Sequence, residues 1–471
     1  MSISKGIKYT SYILIGSLVG LYIGLIVLLN IPYIQKRTAH AVAKELSERL
    51  NTNVEVGRIN MGLLNRIVID NVQLKDQQNN NLLFVNKLST KFDLLPLLKG
   101  KFMINSIQLF DFTANLNRPS PKEPTNFQFV LDAFASKDTV SKPFDLDIRV
   151  NSLLVRRGRV VYDVLSEPQK EGFDPNHIDI QQLIATVSLK ALNKDSINAS
   201  IRRISFEEQS GFVLKKLSSK ITANNKNLLV SNFDIDLLNS SLNLDTLSFK
   251  YGNWEELKAF NDSVTYRGKL KTSIVPTDLS PFLTSLQNIK APIALRSEFE
   301  GKGKELQIPA FRLSHTENIL LQADGSIRNW DQGKNAQVFA RLRQIDINEK
   351  GIETINTILE NDSPILTRLG QIHLRGEMGG KLNDLHTLAD LQTAIGEMNG
   401  DIRIQSNKNL PTTYLGKVEG KNIQLGKLLN NKQLGNASFE LDVQSILNKQ
   451  KEPETSLKGI ISELVYNSYV Y

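Results

Sequence analysis

The sequence predicts a mainly-β protein. An amino-terminal transmembrane helix and an amphipathic helix precede a long antiparallel sheet that carries few short helices. Three observations predict it. An uncharged apolar run opens the chain, an apolar period of four follows, and from residue 53 apolar and polar side chains alternate almost to the end.

The run "YTSYILIGSLVGLYIGLIVLL" (9–29) has the roughly 20 residues a helix needs to cross a bilayer core. Tyr12, Ile13, Leu14, Ile15, Gly16, Gly20, Gly24, Leu25, Ile26, Val27 and Leu28 supply an anchor assigned to 9–31. Lys5 and Lys8 before the run are nearly balanced by Lys36 and Arg37 after it, so the short, basic amino end, 1–8, is taken as cytoplasmic and the bulk as outside. A cleaved signal peptide carries an apolar region of about 7–15 residues closely followed by its cleavage site. The weak match Ala39-His40-Ala41 comes only after Lys36 and Arg37, so a retained anchor is favoured. Gly16, Gly20 and Gly24 form two overlapping G-x-x-x-G steps that permit close helix contact.

Pro32 suits a first helical turn. Ile34, Val42, Leu46 and Leu50 then predict an amphipathic helix, 32–52, that caps the start of the sheet. The alternative, a helix lying on the membrane, is disfavoured by Lys44 and Arg49 beside Glu45 and Glu48.

Strand periodicity begins with Val54, Val56, Ile59 and Met61, with a slip near Gly57. Ile67, Ile69, Val72 and Leu74 slip again near Asn71. Leu183, Ala185, Val187 and Leu189 alternate cleanly, as do Phe233, Ile235 and Leu237. One face is apolar and the other carries Lys, Ser, Asn and Asp, the pattern of a sheet wet on one side. The runs amount to about 25 strands, too many for a flat open sheet. Several sandwiches, a solenoid or one curled sheet are the options, the last extending beyond about 100 Å. "LLPLLKG" (94–100) reads as a helical turn, "FQFVLDAFAS" (127–136) and "GIETINTILEN" (351–361) as short helices, and "NRPSPKEPTN" (117–126) as a loop. A composition shift near Ser273 divides the β region into 53–265 and 266–471.

Aliphatic residues spread along the whole chain exclude general disorder. The net charge of +8 comes from interspersed pairs such as Arg156-Arg157 rather than a basic stripe with aromatics, so no nucleic acid is expected. Cysteine is absent, which removes disulfides, thiolate zinc sites and cysteine nucleophiles and is compatible with an oxidising compartment. Catalytic motifs are missing, and "GKGKEL" (301–306) lacks the Ser or Thr of a phosphate loop. His40, His177, His315, His373 and His386 are scattered, and no carboxylate pair is nominated. The expectation is a non-enzyme with no catalytic residue, metal or cofactor.

The ordered set of helix, amphipathic helix and "NVEVGRINMGLLNRIVIDNVQLKD" (53–76) resembles the start of the AsmA-like family, above all its TamB-type members. "LSTKFDLLPLLKGKFMINSIQLFDFTANLNR" (88–118) and the run "ISFEEQSGFVLKKLSSKITANNKNLLVSNFDIDLLNSSLNLDTLSF" (204–249) extend the resemblance. So do "SIVPTDLSPFL" (273–283), 313–330 and 374–402. The resemblance implies a bridge-like lipid carrier of the translocation and assembly module type. Its antiparallel sheet would curl into an open trough, a β-taco, with an apolar inner face. It implies an inner-membrane anchor, a periplasmic body in a diderm bacterium, phospholipid as cargo and a BamA-like barrel partner at the outer membrane. That partner would be met through a carboxy-terminal region not contained here, so an amino-terminal portion of a longer protein is expected. The groove-lining candidates are Val54, Val56, Ile59, Leu183, Ala185, Val187, Leu189, Phe233, Ile235 and Leu237. The implied role is phospholipid movement in support of envelope integrity, the alternative being help in outer-membrane or autotransporter barrel assembly and secretion. Strand-edge pairing with client strands would serve that alternative.

Overall fold

The computed structural model describes residues 12–471 except 14–15, 18, 22, 25, 29, 63–65, 93–100, 136–144, 193–195, 360–362, 407–410 and 448–453. Within them the chain is mainly β, with strands β1–β22 and a few short helices. Its internal contacts divide it into two units, the first reaching Ser218 and the second running from Ser219 to Tyr471. The expected boundary at 265/266 falls at the start of β11 (Thr265–Ile274), and the composition shift near Ser273 falls at its end.

The helix Pro32–Leu50 ends where Asn51 turns left-handed (φ 49°) and its N–H bonds back to the Ser47 carbonyl. Gln35, Ala39, Ala43 and Leu50 form its buried face, packed along β1 (Val54–Gly62). Of the expected anchor residues, Tyr12, Ile13, Gly16, Gly20, Gly24, Ile26, Val27 and Leu28 are helical. Leu14, Ile15 and Leu25, like residues 1–11, lie outside the described residues. Among the described residues no single helix is long and apolar enough to cross a membrane. Val19–Leu28 and Pro32–Leu50 reach that length and composition only as a pair bent by 80°. At the bend the Asn30 amide donates to the Ile26 carbonyl (2.8 Å) and to the Met61 carbonyl near the far end of β1 (2.9 Å).

The first unit continues with β2 (Arg66–Lys75), β3 (Asn81–Phe92), β4 (Lys101–Arg118), β5 (Asp145–Val164), β6 (His177–Leu192) and β7 (Ser196–Glu208). Each pairs with the next, antiparallel except for β4 and β5, which run parallel. The all-antiparallel expectation is corrected here. Between these strands lies a long connection containing the helix Gln128–Ala135, enough chain to return to the starting end of β4. Phe127, Phe129, Val130 and Ala133 from that connection pack on Leu50, Val54, Leu74 and Leu82, closing one end of the unit.

β8 (Val213–Asn224) crosses the division. In the second unit β9 (Asn227–Asp236), β10 (Ser241–Lys250), β11, β12 (Ile293–Lys302), β13 (Glu305–His315) and β14 (Ile319–Arg328) form an antiparallel meander. It continues through β15 (Gln337–Ile347), β16 (Ile372–Lys381), β17 (Asp384–Thr393) and β18 (Gly396–Gln405). β19 (Thr412–Gln424), β20 (Leu434–Leu447), β21 (Glu454–Tyr466) and β22 (Tyr469–Val470) complete it.

Connections at one end of these strands carry the helices Glu349–Leu359, Pro364–Leu369 and Leu425–Leu429. There Ile352, Leu369, Ile372 and Ile395 make a small core with Leu366 and Leu428. At the other end Phe249, Phe260, Tyr266 and Trp330 stack together, with the Lys304 ammonium 4.7 Å from the Trp330 ring centre. The expected short helices at 127–136 and 351–361 are thus present within a residue or two, while the turn at 94–100 lies outside the described residues.

Candidate apolar lane

Cross-strand register gathers the apolar side chains of the first unit into rows that run across the strands. One row joins Ile59, Ile69, Leu88, Leu109, Val155, Ala185 and Ile204. Its neighbour joins Val56, Val72, Val85, Phe112, Gly158 and Leu183. Val85, Phe112, Val155 and Ala185 are buried together, with Val72, Leu88, Leu109, Leu183 and Ile204 around them. Val187 lies in a further row with Leu153 and Ile201, and Leu189 pairs with Ala199. The groove-lining candidates Val54, Val56, Ile59, Leu183, Ala185, Val187 and Leu189 therefore belong to one face. Val54 and Ala185 are buried and the others half-buried.

The second unit repeats the arrangement. Ile235, Leu242, Thr272, Leu295, Leu313 and Leu321 form one row. The row runs on through Ile345, Leu374, Leu391, Met398, Gly420, Phe439 and Ile461. Phe233 sits one row over, opposite Leu244. Leu237 is the exception among the candidates: it lies past β9 in a turn, its N–H held by the Ser240 carbonyl (2.9 Å), because the chain must reverse there.

The slips seen at Gly57 and Asn71 belong to a line that crosses several strands. Gly57 faces Asn71, Asn71 faces Asn86, Asn86 faces Asp111, and Asp111 faces Arg157, and each of these positions drops out of its ladder. Asn71, Asp111 and Arg157 adopt left-handed φ of 54°, 52° and 54°. Such a residue reverses the facing of the side chains beyond it, so Leu109 and Phe112, either side of Asp111, share one core despite an odd spacing. Asn and Asp tolerate this conformation better than most residues. Arg157 does not, but its guanidinium forks onto Asp111, with Nη2 2.8 Å from Oδ2.

Glycine is used to level the lane. Gly158, Gly268 and Gly420 each lie opposite a phenylalanine, Phe112, Phe299 and Phe439, in register. A Cβ on these glycines would come within 2.3, 2.4 and 2.5 Å of the facing ring, so each ring lies across its glycine.

The opposite face is charged. Arg58 pairs with Asp70 (3.2 Å), Arg159 with Asp179 (2.7 Å), Lys269 with Glu298 (2.8 Å), Arg341 with Glu377 (2.9 Å) and Arg403 with Asp384 (2.6 Å). The Arg159 hydrogen bonds hold the Asp179 carboxyl below the usual carboxylate range, against the opposing effect of its burial. The exposed pairs among these are screened by solvent, so they mark a solvated surface rather than a source of stability. Two cavities, about 680 and 510 Å³, open among these long side chains. Both are lined by residues of both charges.

Four of the five histidines are tied locally: His177 to Asp163 (3.1 Å), His373 to Asp346 (2.7 Å) and His386 to Asp401, with the His315 ring on the Pro292 carbonyl (3.3 Å), while His40 lies exposed on the helix Pro32–Leu50. Among the described residues no cluster of acids and histidines could hold a metal ion. Sequence reading missed the line of left-handed residues and the glycine–aromatic pairs. The first was visible in principle as apolar spacing of two, three and two repeated in successive strands. No family model, curated protein or solved structure matches the chain.

Proposed function

We propose that the chain is an inner-membrane-anchored periplasmic bridge protein whose apolar lane moves phospholipid between the inner and outer membranes. One observation carries this reading: rows of aliphatic and aromatic side chains cross strand after strand on one face of each unit without a charged residue among them. An acyl chain asks for nothing more. Each methylene moved from water onto such a surface gains about 0.8 kcal/mol, with no directed polar partner required. A headgroup can stay hydrated while its chains are carried. The apolar amino-terminal helix would hold the protein in the inner membrane, and the resemblance to TamB-type chains supports a BamA-like partner at the far side.

The test is to place a charge beside Ala185. Leu183→Asp and Val187→Asp, each checked for an unchanged circular dichroism spectrum, should lose co-purified phospholipid and weaken envelope integrity. Full lipid content and an intact envelope in both variants would sink the proposal.

A second reading, assistance in assembling outer-membrane or autotransporter barrels, is favoured by β21. Its Leu457, Ile460 and Ile461 are exposed on both faces, and among the described residues β22 pairs with Val465 and Tyr466. Such a strand can accept another strand alongside it. Crosslinks from β21 to unfolded barrel precursors, with lipid content unchanged in the lane variants, would favour this second role.

A further inference from the structure

The helix Pro32–Leu50 has two faces, and only one has been accounted for. Gln35, Ala39, Ala43 and Leu50 bind β1, whereas Tyr33, Lys36, Arg37, His40 and Ala41 point to solvent. Tyr33 is 71% exposed despite its ring. Acids enter this outward face only from Glu45 onward, where Glu48 lies 3.9 Å from Lys44. The turns nearest the bend are therefore cationic and aromatic.

The helix is also fixed in direction. It leaves Val19–Leu28 at 80°. Asn30 ties its start to the Met61 carbonyl, and near its end the Ser47 hydroxyl accepts the Val54 N–H at 3.0 Å. Helix and β1 therefore run side by side, head to tail, over about 28 Å of helix.

We infer that Pro32–Leu50 lies flat on an anionic bilayer surface, its Tyr33, Lys36 and Arg37 face in the headgroups and its alanine face carrying β1. Rings such as Tyr33 settle at the headgroup level, and Lys and Arg are drawn to anionic lipid. The inference rests on the anchoring proposed above, and it adds an orientation. With Val19–Leu28 upright in the membrane, a helix at 80° to it is nearly parallel to the surface. So is β1, and the direction in which the strands of the first unit succeed one another then leads away from the bilayer. Earlier strands meet lipid first.

The absence of cysteine in the sequence makes the test direct. Single cysteines carrying a fluorophore are placed in the full chain at Gly20, in the apolar helix, at Ala41, on the outward face, and at Glu207, on β7. Each protein is reconstituted into vesicles of phosphatidylethanolamine with about 30 mol% phosphatidylglycerol, which gives the surface a negative potential. A nitroxide is carried either on the headgroup or deep in the acyl chain. The expected result is acyl quenching at Gly20, headgroup quenching at Ala41 and none at Glu207, about six strand spacings (~29 Å) from β1. Adding Lys36→Gln and Arg37→Gln should lower the docked-to-lifted ratio read at Ala41 by about fivefold per charge. Zwitterionic vesicles should act in the same direction.

Quenching at Gly20 without any at Ala41 overturns the flat-lying helix and leaves the anchor standing. Loss of quenching at Gly20 overturns the anchor itself, and with it the orientation. Headgroup quenching at Ala41 that ignores both lipid charge and the glutamine substitutions overturns the electrostatic recognition.

Discussion

Asp111 and Arg157 face each other across the parallel pairing of β4 and β5, both left-handed, and the guanidinium forks onto the carboxylate. The Arg157 hydrogen bond, with its charge, holds the Asp111 carboxyl below its ordinary value. Two residues that each reverse the facing of a strand are thereby locked at the same level. The apolar face on both sides of them stays continuous.

The left-handed line makes a prediction at Asn71 (φ 54°). Asn71→Gly should be neutral or slightly stabilising, whereas Asn71→Val should cost about 1–2 kcal/mol, because a branched Cβ crowds the carbonyl in that conformation. Urea denaturation of the two variants checks it. Equal stabilities would mean that the conformation at Asn71 does not govern the strand.

Gly420→Ala should destabilise the second unit by about 1–3 kcal/mol, since the new Cβ would press on the Phe439 ring 2.5 Å away. Pairing it with Phe439→Leu should recover part of the loss. Strictly additive effects in that double-mutant cycle would rule out direct contact as the cause.

His177 should make stability sensitive to mildly alkaline pH. The Asp163 carboxylate and then the Glu167 carbonyl raise its pKa above the ordinary 6.5. A raised folded value means that the stabilisation is complete below 6.5 and is lost as pH rises through the folded pKa. Thermal melts from pH 5 to 9 should fall on the alkaline side, and His177→Gln should flatten that fall. A profile unchanged by the substitution would place the sensitivity elsewhere.

Asp278 governs the acid side. Burial pushes its carboxyl up, but hydrogen bonds from Ser240 and Asn239 outweigh burial and hold it below its ordinary 3.8. Its contribution is therefore present above 3.8 and lost as pH falls through the lowered folded value. Asp278→Ala should cost about 1–3 kcal/mol at neutral pH by stranding its three donors, the Asn239 N–H (2.7 Å), the Asn239 amide (2.9 Å) and the Ser240 hydroxyl (2.7 Å). Its stability should also respond less to acid. Guanidinium titrations at pH 3 and pH 7 separate the two effects.

Much of this architecture was legible because period-two alternation is enforced wherever one sheet face is apolar. Val54, Val56, Leu183, Ala185 and Val187 fell on a common face for that reason. The parallel β4–β5 pair was not legible, since alternation is the same whichever way a neighbour runs. Leu237 misled because alternation continues past Asp236 while the backbone already turns. The Pro32–Leu50 helix was readable from its period of four, but its buried face is Gln35, Ala39, Ala43 and Leu50, with Ile34, Val42 and Leu46 only half-buried. At its 80° departure from the preceding helix lies the Asn30–Met61 bond, between residues 31 positions apart. The glycine–phenylalanine pairs needed register, which no single strand carries.

The line from Gly57 to Arg157 also governs how such a chain can gain or lose length. Deleting Asp70 while Asn71 stays left-handed would turn Ile67 and Ile69 toward water while Val72 and Leu74 stayed inside, so a one-residue deletion beside the line acts like several core substitutions at once. A whole hairpin, by contrast, can be added or removed if each of its strands brings its own break in the ladder at that level, as Gly57 and Asn86 do alongside the left-handed Asn71, Asp111 and Arg157. Lengthening by entire hairpins is then mild, and small frame-preserving deletions within strands are severe.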